Sequence, residues 1–124
     1  MRPLRVVIAD DNRDTVMLLG ILLRSEGIDV RLATKGSEVQ AVVAQFRPDA
    51  VLLDITMPDR SGLQVALELV RDYGPKCPVL IAVTAHNDET ARRLTEKSGF
   101  RHHVAKPYDP DALLSLVGSI KAGD

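Results

Sequence analysis

The chain has no tryptophan, one cysteine, only 3% aromatic residues and no surplus of either charge. Each shortage closes off a class of protein. A lone Cys77 excludes an internal disulfide and fits a reducing compartment, where it is expected to be a small apolar filler. A formal net charge of −1 lacks the basic footprint of a nucleic-acid binder, so no direct nucleic-acid contact is expected. No apolar run approaches the ~18–20 residues that span a bilayer, so no membrane contact is expected either. Met1-Arg2-Pro3 leads straight into the first apolar run, leaving no room for a secretory signal, and a cytoplasmic location is the expectation. Zinc is a poor candidate because no Cys/His set has ligand spacing. His102 and His103 are neighbours on an expected strand and point to opposite faces.

What is present is an ordinary globular composition. At 124 residues, 45% hydrophobic and 27% charged, the chain can bury a core as one domain over residues 1–124. Short apolar runs at Leu4–Ala9, Ile28–Leu32, Ala50–Leu53, Val79–Val83 and Arg101–Ala105 predict strands. Helix-length segments separate them. The first follows Asn12, carries Val16, Leu19, Leu22 and Leu23 on one stripe, and ends at Gly27. The second is expected to open on a capping box at Ser37–Gln40, with Val39, Val42, Val43 and Phe46 inward, and to break at Arg47-Pro48-Asp49. The third starts at Ser61-Gly62, with Leu63, Ala66, Leu67 and Val70 expected inward, and closes at Gly74-Pro75. A polar fourth helix is capped by Asn87 or Asp88, and Asp109-Pro110 opens an apolar fifth. Alternating strands and helices imply a parallel sheet covered on both faces, an α/β fold.

The chemistry lies where the apolar runs end. Asp10-Asp11 follow the first, Asp54 the third, Thr84 the fourth and Lys106-Pro107 the fifth. In an open α/β sheet, ligands bind outside the carboxyl ends of the strands. Gathered carboxylates repel one another and call for a cation, and hard oxygen ligands in an open site suit Mg²⁺. With Mg²⁺ on Asp11 and Asp54, a phosphate oxygen becomes a reasonable further ligand. Lys106 and the Thr84 hydroxyl can then meet its other oxygens, and an Asp54 oxygen is free to attack phosphorus. Any one of these residues alone is more often a cap or a solvated loop residue; the ordered set is what carries the inference.

That set closely resembles the receiver domain of two-component response regulators, over essentially the whole chain. The matching residues are Asp10-Asp11, then Asp54-Ile55-Thr56-Met57-Pro58 with Gly62, then Thr84-Ala85, then Lys106-Pro107. The resemblance implies a flavodoxin-like (βα)5 fold of strand order 2-1-3-4-5. It implies phosphoryl transfer from a histidine kinase or histidine phosphotransfer protein to Asp54, with Mg²⁺ held by Asp10, Asp11, Asp54 and the Thr56 carbonyl. Lys106-Pro107 is expected to be cis, Met57 and Pro58 to shape the loop, and Thr56 and His86 to tune the lifetime of the phosphorylated state. The fourth helix, fifth strand and fifth helix are the expected output surface toward a protein target, with the chain a monomer or a phosphorylation-dependent dimer. Arg92, Arg93, Lys97, Arg101 and His102 make that side locally basic, against Glu89 and Glu96.

One position departs from the family pattern. His103 stands three residues before Lys106, where relatives carry Tyr or Phe coupled to the Thr as a switch. A partly buried histidine filling the aromatic site is the expectation; a charge that makes switching sensitive to pH is the sharper alternative. Two other functions share parts of this residue set. A haloacid-dehalogenase-type phosphatase also uses Asp, Mg²⁺, Thr and Lys, but its nucleophile follows the first strand with a second Asp two residues on. Here Asp54 follows the third, and Thr56 holds the second position. A phosphorylation-independent scaffold usually lacks a pocket residue, and none is missing. The chain is expected to be a switch and not a turnover enzyme on an external substrate, either stand-alone or a receiver from a hybrid kinase or larger regulator.

Overall fold

Residues 2–122 are described by the structure, a computed structural model. Five strands alternate with five helices: β1 (Arg5–Ala9), α1 (Arg13–Ser25), β2 (Asp29–Ala33), α2 (Gly36–Phe46), β3 (Ala50–Leu53), α3 (Gly62–Tyr73), β4 (Val79–Thr84), α4 (Glu89–Lys97), β5 (His102–Ala105) and α5 (Pro110–Gly118). All pairings are parallel and the order is β2-β1-β3-β4-β5, the flavodoxin-like order expected.

Successive side chains of a strand point to opposite faces, so a strand covered on both faces must be apolar throughout. Val6 and Ile8 of β1 join Leu52, Ile81 and Leu113 beneath α1 and α5. Val7 and Ala9 join Leu53, Leu80 and Leu69 beneath α2 and α3. Of the two edge strands, β2 still buries Val30 and Ala33, whereas β5 is the only one among the described strands with no fully buried residue, which explains its tolerance of two histidines.

Two local expectations are corrected. On α3 the buried residues are Val65, Ala66 and Leu69, with Leu63 half-buried, whereas Leu67 and Val70 are 52% and 38% exposed. The segment is apolar at six of its first nine positions, so its pattern fits more than one rotation about the helix axis. Close docking of its first residue selects among them: a Cβ on Gly62 would lie 2.2 Å from the Asp54 carbonyl oxygen. On α2 the helix begins at Gly36, before the expected box. Glu38 is the residue that reaches back, its carboxylate accepting from the Thr34 and Lys35 N–H groups at 3.1 and 3.0 Å.

Candidate functional site

Four strand ends converge on one edge of the sheet. The Asp10 N–H donates to the Ala33 carbonyl and the Asp54 N–H to the Ala9 carbonyl, so both acids are still held by the ladder as the chain leaves it. Asp10 and Asp54 are buried, 4% and 8% exposed, while Asp11 is exposed. The three offer one carboxylate oxygen each within 4.8 Å of one another. Asp10 accepts from the Asn12 N–H at 3.0 Å, an Asx turn that frees Asn12 to cap α1 through the Thr15 N–H. Asp54 accepts from the Thr56 N–H in the same manner, also at 3.0 Å.

Lys106 closes the pocket, its ammonium donating to Asp10 at 2.5 Å and to Asp54 at 2.9 Å. Burial alone would pull this ammonium down; the two carboxylates outweigh it and raise it above the ordinary lysine value. The Lys106-Pro107 bond is cis, as the resemblance implied, and Pro107 itself is exposed. Three carboxylates against one ammonium leave the pocket negative, and its donors are oxygens without a nitrogen or sulfur among them. That donor set fits a hard divalent cation such as Mg²⁺. Met57 is buried and anchors the loop, while Thr56 and Pro58 are exposed on it.

Residues 6–118 match the response regulator receiver domain family. The chain belongs to that family. It is 32% identical to Protein PilH of Pseudomonas aeruginosa over 119 residues, covering 96% of this chain and 98% of that protein. It is 34% identical to the DNA-binding response regulator MtrA of Mycolicibacterium smegmatis over 91% of this chain, but spans only 48% of that relative's length. Among solved structures, a CheY-like receiver from Methanospirillum hungatei superposes with a TM-score of 0.87 at 22% identity, covering 94% of this chain and 91% of that one. The receiver domain of Ssk1, solved with the Saccharomyces cerevisiae phosphotransfer protein Ypd1, is similar in fold at a TM-score of 0.84 and 24% identity, covering 94% and 87%.

Thr84 and His103, the expected switch residues, make no hydrogen bond to each other among those described. Thr84 is fully buried at the end of β4, and its hydroxyl accepts from the His86 N–H at 3.2 Å. His103 bonds across to α4 instead: Nδ1 lies 3.1 Å from the Thr95 hydroxyl, which donates to the Arg92 carbonyl at 2.8 Å. The His103–Thr95 bond joins the imidazole to α4, its direction set by the imidazole tautomer. Nε2 is buried and makes no well-formed hydrogen bond. Burial pushes this histidine below its ordinary value, the Arg92 guanidinium adds to that, and the His86 backbone offsets part of it. His103 is thus the partly buried histidine expected. His86, two residues past Thr84, is exposed.

Sequence reasoning passed over two residues near this site. Tyr108, two positions after Lys106, is half-buried against the α1/α5 core with its hydroxyl titrating above the ordinary value through burial. Asp59, in the loop after Asp54, bonds to the start of α2. The available signal for Asp59 was negative: Lys35 precedes α2, and lysine cannot cap a helix start.

Proposed function

We propose that the chain acts, as one receiver unit over residues 1–124, as a phosphorylatable switch of a two-component phosphorelay. The observation that carries the reading is the joint approach of Lys106 to Asp10 and Asp54 beside a third carboxylate. Asp10, Asp11, Asp54 and the Thr56 carbonyl would hold Mg²⁺, which supplies charge neutralisation for the incoming phosphoryl group. The Asp54 carboxylate is the nucleophile. An O–P bond forms on it as the P–N bond of a phosphohistidine donor breaks, the electron pair returning to the ring nitrogen. Lys106 and the Thr84 hydroxyl take the peripheral oxygens, so positioning and electrostatics supply most of the catalysis. Thr56 and His86 flank the approach of hydrolytic water and set the lifetime of the acyl phosphate, which returns Asp54 and inorganic phosphate.

The donor in this reading is a histidine kinase or phosphotransfer protein, and the state is read by a protein target at α4, β5 and α5. A cavity of about 440 Å³ between α4 and β5, lined by Arg92, Arg101, His102 and His103, belongs to that surface. His103, tied to α4 through Thr95, is where the pocket's state would reach it. Among the described residues no helix is long and apolar enough to cross a membrane, in keeping with a cytoplasmic switch.

Intact-mass measurement after treatment with acetyl phosphate tests this directly. Wild type with Mg²⁺ should gain one phosphoryl group, and chelation of Mg²⁺ or Asp54→Asn should abolish the gain. If neither acetyl phosphate nor a phosphohistidine protein donor modifies wild type, the scaffold reading takes its place.

A further inference from the structure

The loop carrying the phospho-acceptor is anchored at both ends. At its far end Gly62 donates its N–H to the Ile55 carbonyl at 3.0 Å and packs so closely on the Asp54 and Ile55 backbone that no side chain fits there. Its outer lobe is held by another element altogether. The Asp59 carboxylate accepts from the Gly36 and Ser37 N–H groups at the start of α2, both at 2.9 Å, across 23 and 22 residues of sequence.

These are among the first N–H groups of a helix, which have no partner within it. An N-cap side chain normally satisfies one of them, but Lys35 offers only donors. Glu38 takes the N–H groups of Thr34 and Lys35, and Asp59 supplies the missing cap for the next two. The backbones are also in close approach, since a Cβ on Gly36 would sit 2.9 Å from the Arg60 Cβ and 3.1 Å from its carbonyl oxygen. Arg60 is ion-paired to Glu68 on α3, which fixes the other flank of the lobe. Thr56, whose carbonyl faces the cation in the reading above, lies between the two anchors and bonds through its own N–H to Asp54.

We infer that Asp59 is a positioning residue for the acidic pocket, clamping the loop after β3 onto the start of α2 and so holding the Thr56 carbonyl in place for the cation. This rests on the receiver reading for the identity of the cation. Asp59 touches no reacting atom; it acts through the loop. A helix cap that served α2 alone would affect stability and leave Mg²⁺ affinity untouched.

The test is a Mg²⁺ titration of the whole chain followed by amide chemical shifts, with amide hydrogen exchange at residues 36 and 37 on the same samples. Asp59→Ala should deprotect those two amides and raise the half-saturating Mg²⁺ concentration by about threefold or more, smaller than the roughly tenfold typical of a residue bonded directly to a metal ligand. Gly36→Ala, which forces a Cβ into Arg60 while keeping every charge, should raise it too, separating position from lost negative charge. Asp72→Ala, which removes an acid paired with Arg71 near the end of α3, should leave it unchanged. Deprotected amides with half-saturation within about 1.5-fold of wild type in both loop variants would overturn the inference. Should Asp59→Ala not fold, Gly36→Ala decides the matter alone. Wild type that takes up Mg²⁺ but forms no phosphoryl adduct would overturn the receiver reading and leave the clamp standing.

Discussion

A histidine held neutral by its surroundings leaves a trace in the pH dependence of stability. His103 sits below its ordinary value of 6.5, with burial the largest cause and Arg92 next. The unfolded chain therefore binds its proton first as pH falls. The favourable neutral state contributes fully above pH 6.5, and the contribution is lost as pH drops from there toward the folded value. Thr95, Arg92 and the His86 backbone are the groups that face the ring. The midpoint of thermal unfolding should fall between pH 7 and pH 5.5, and His103→Phe should flatten that fall. An equal slope in the two proteins would show that protons bind elsewhere. Because the ring is tied to α4, the same experiment run on the proposed phosphorylated form would measure whether that switch responds to pH.

At the scale of elements, α3 separates pattern from placement. Its apolar residues admit more than one inward stripe, and docking of Gly62 on the Asp54 backbone selects Val65, Ala66 and Leu69. Leu69→Ala should destabilise the fold by roughly 2–5 kcal/mol, whereas Leu67→Ala should stay within about 0.5 kcal/mol. Chemical denaturation with the two variants side by side checks this, and a reversed ranking would restore the stripe the sequence suggests. The start of α2 teaches a related lesson. Ser37 looks like a cap with Gln40 as its partner, yet the helix begins two residues earlier, with Lys35 at the cap position, because Asp59 and Glu38 satisfy its first amides from outside the expected motif.

For the molecule as a whole, the pocket is a concentration of like charge that folding must tolerate. Lys106 offsets part of it, and a divalent cation bound as proposed would remove more. A ligand that binds only the folded state stabilises it by RT ln(1 + [L]/Kd), so Mg²⁺ at ten times its dissociation constant should add about 1.4 kcal/mol. The melting temperature of wild type should therefore rise with Mg²⁺. Asp11 is the exposed member of the acidic trio, with no bond to Lys106 among those described. Asp11→Asn should blunt the rise while leaving the metal-free protein as stable as wild type or more so. A Mg²⁺ response equal to that of wild type would remove Asp11 from the cation's ligands.

The sequence by itself determined the fold class, the strand order through its family resemblance, and the residues that meet at the sheet's edge. It did so because strands covered on both faces must be apolar throughout, and polar residues placed just past them have one destination. Asp10, Asp11, Asp54, Thr84 and Lys106 were legible for that reason. Tertiary structure alone decided which face of α3 turns inward, which hydroxyl His103 engages, and which carboxylate caps α2. Each of those depends on groups brought together across 8 to 23 residues of chain, as with His103 and Thr95 or Asp59 and Gly36. Local periodicity carries no information about partners at that separation; only the packing of one element on another supplies it.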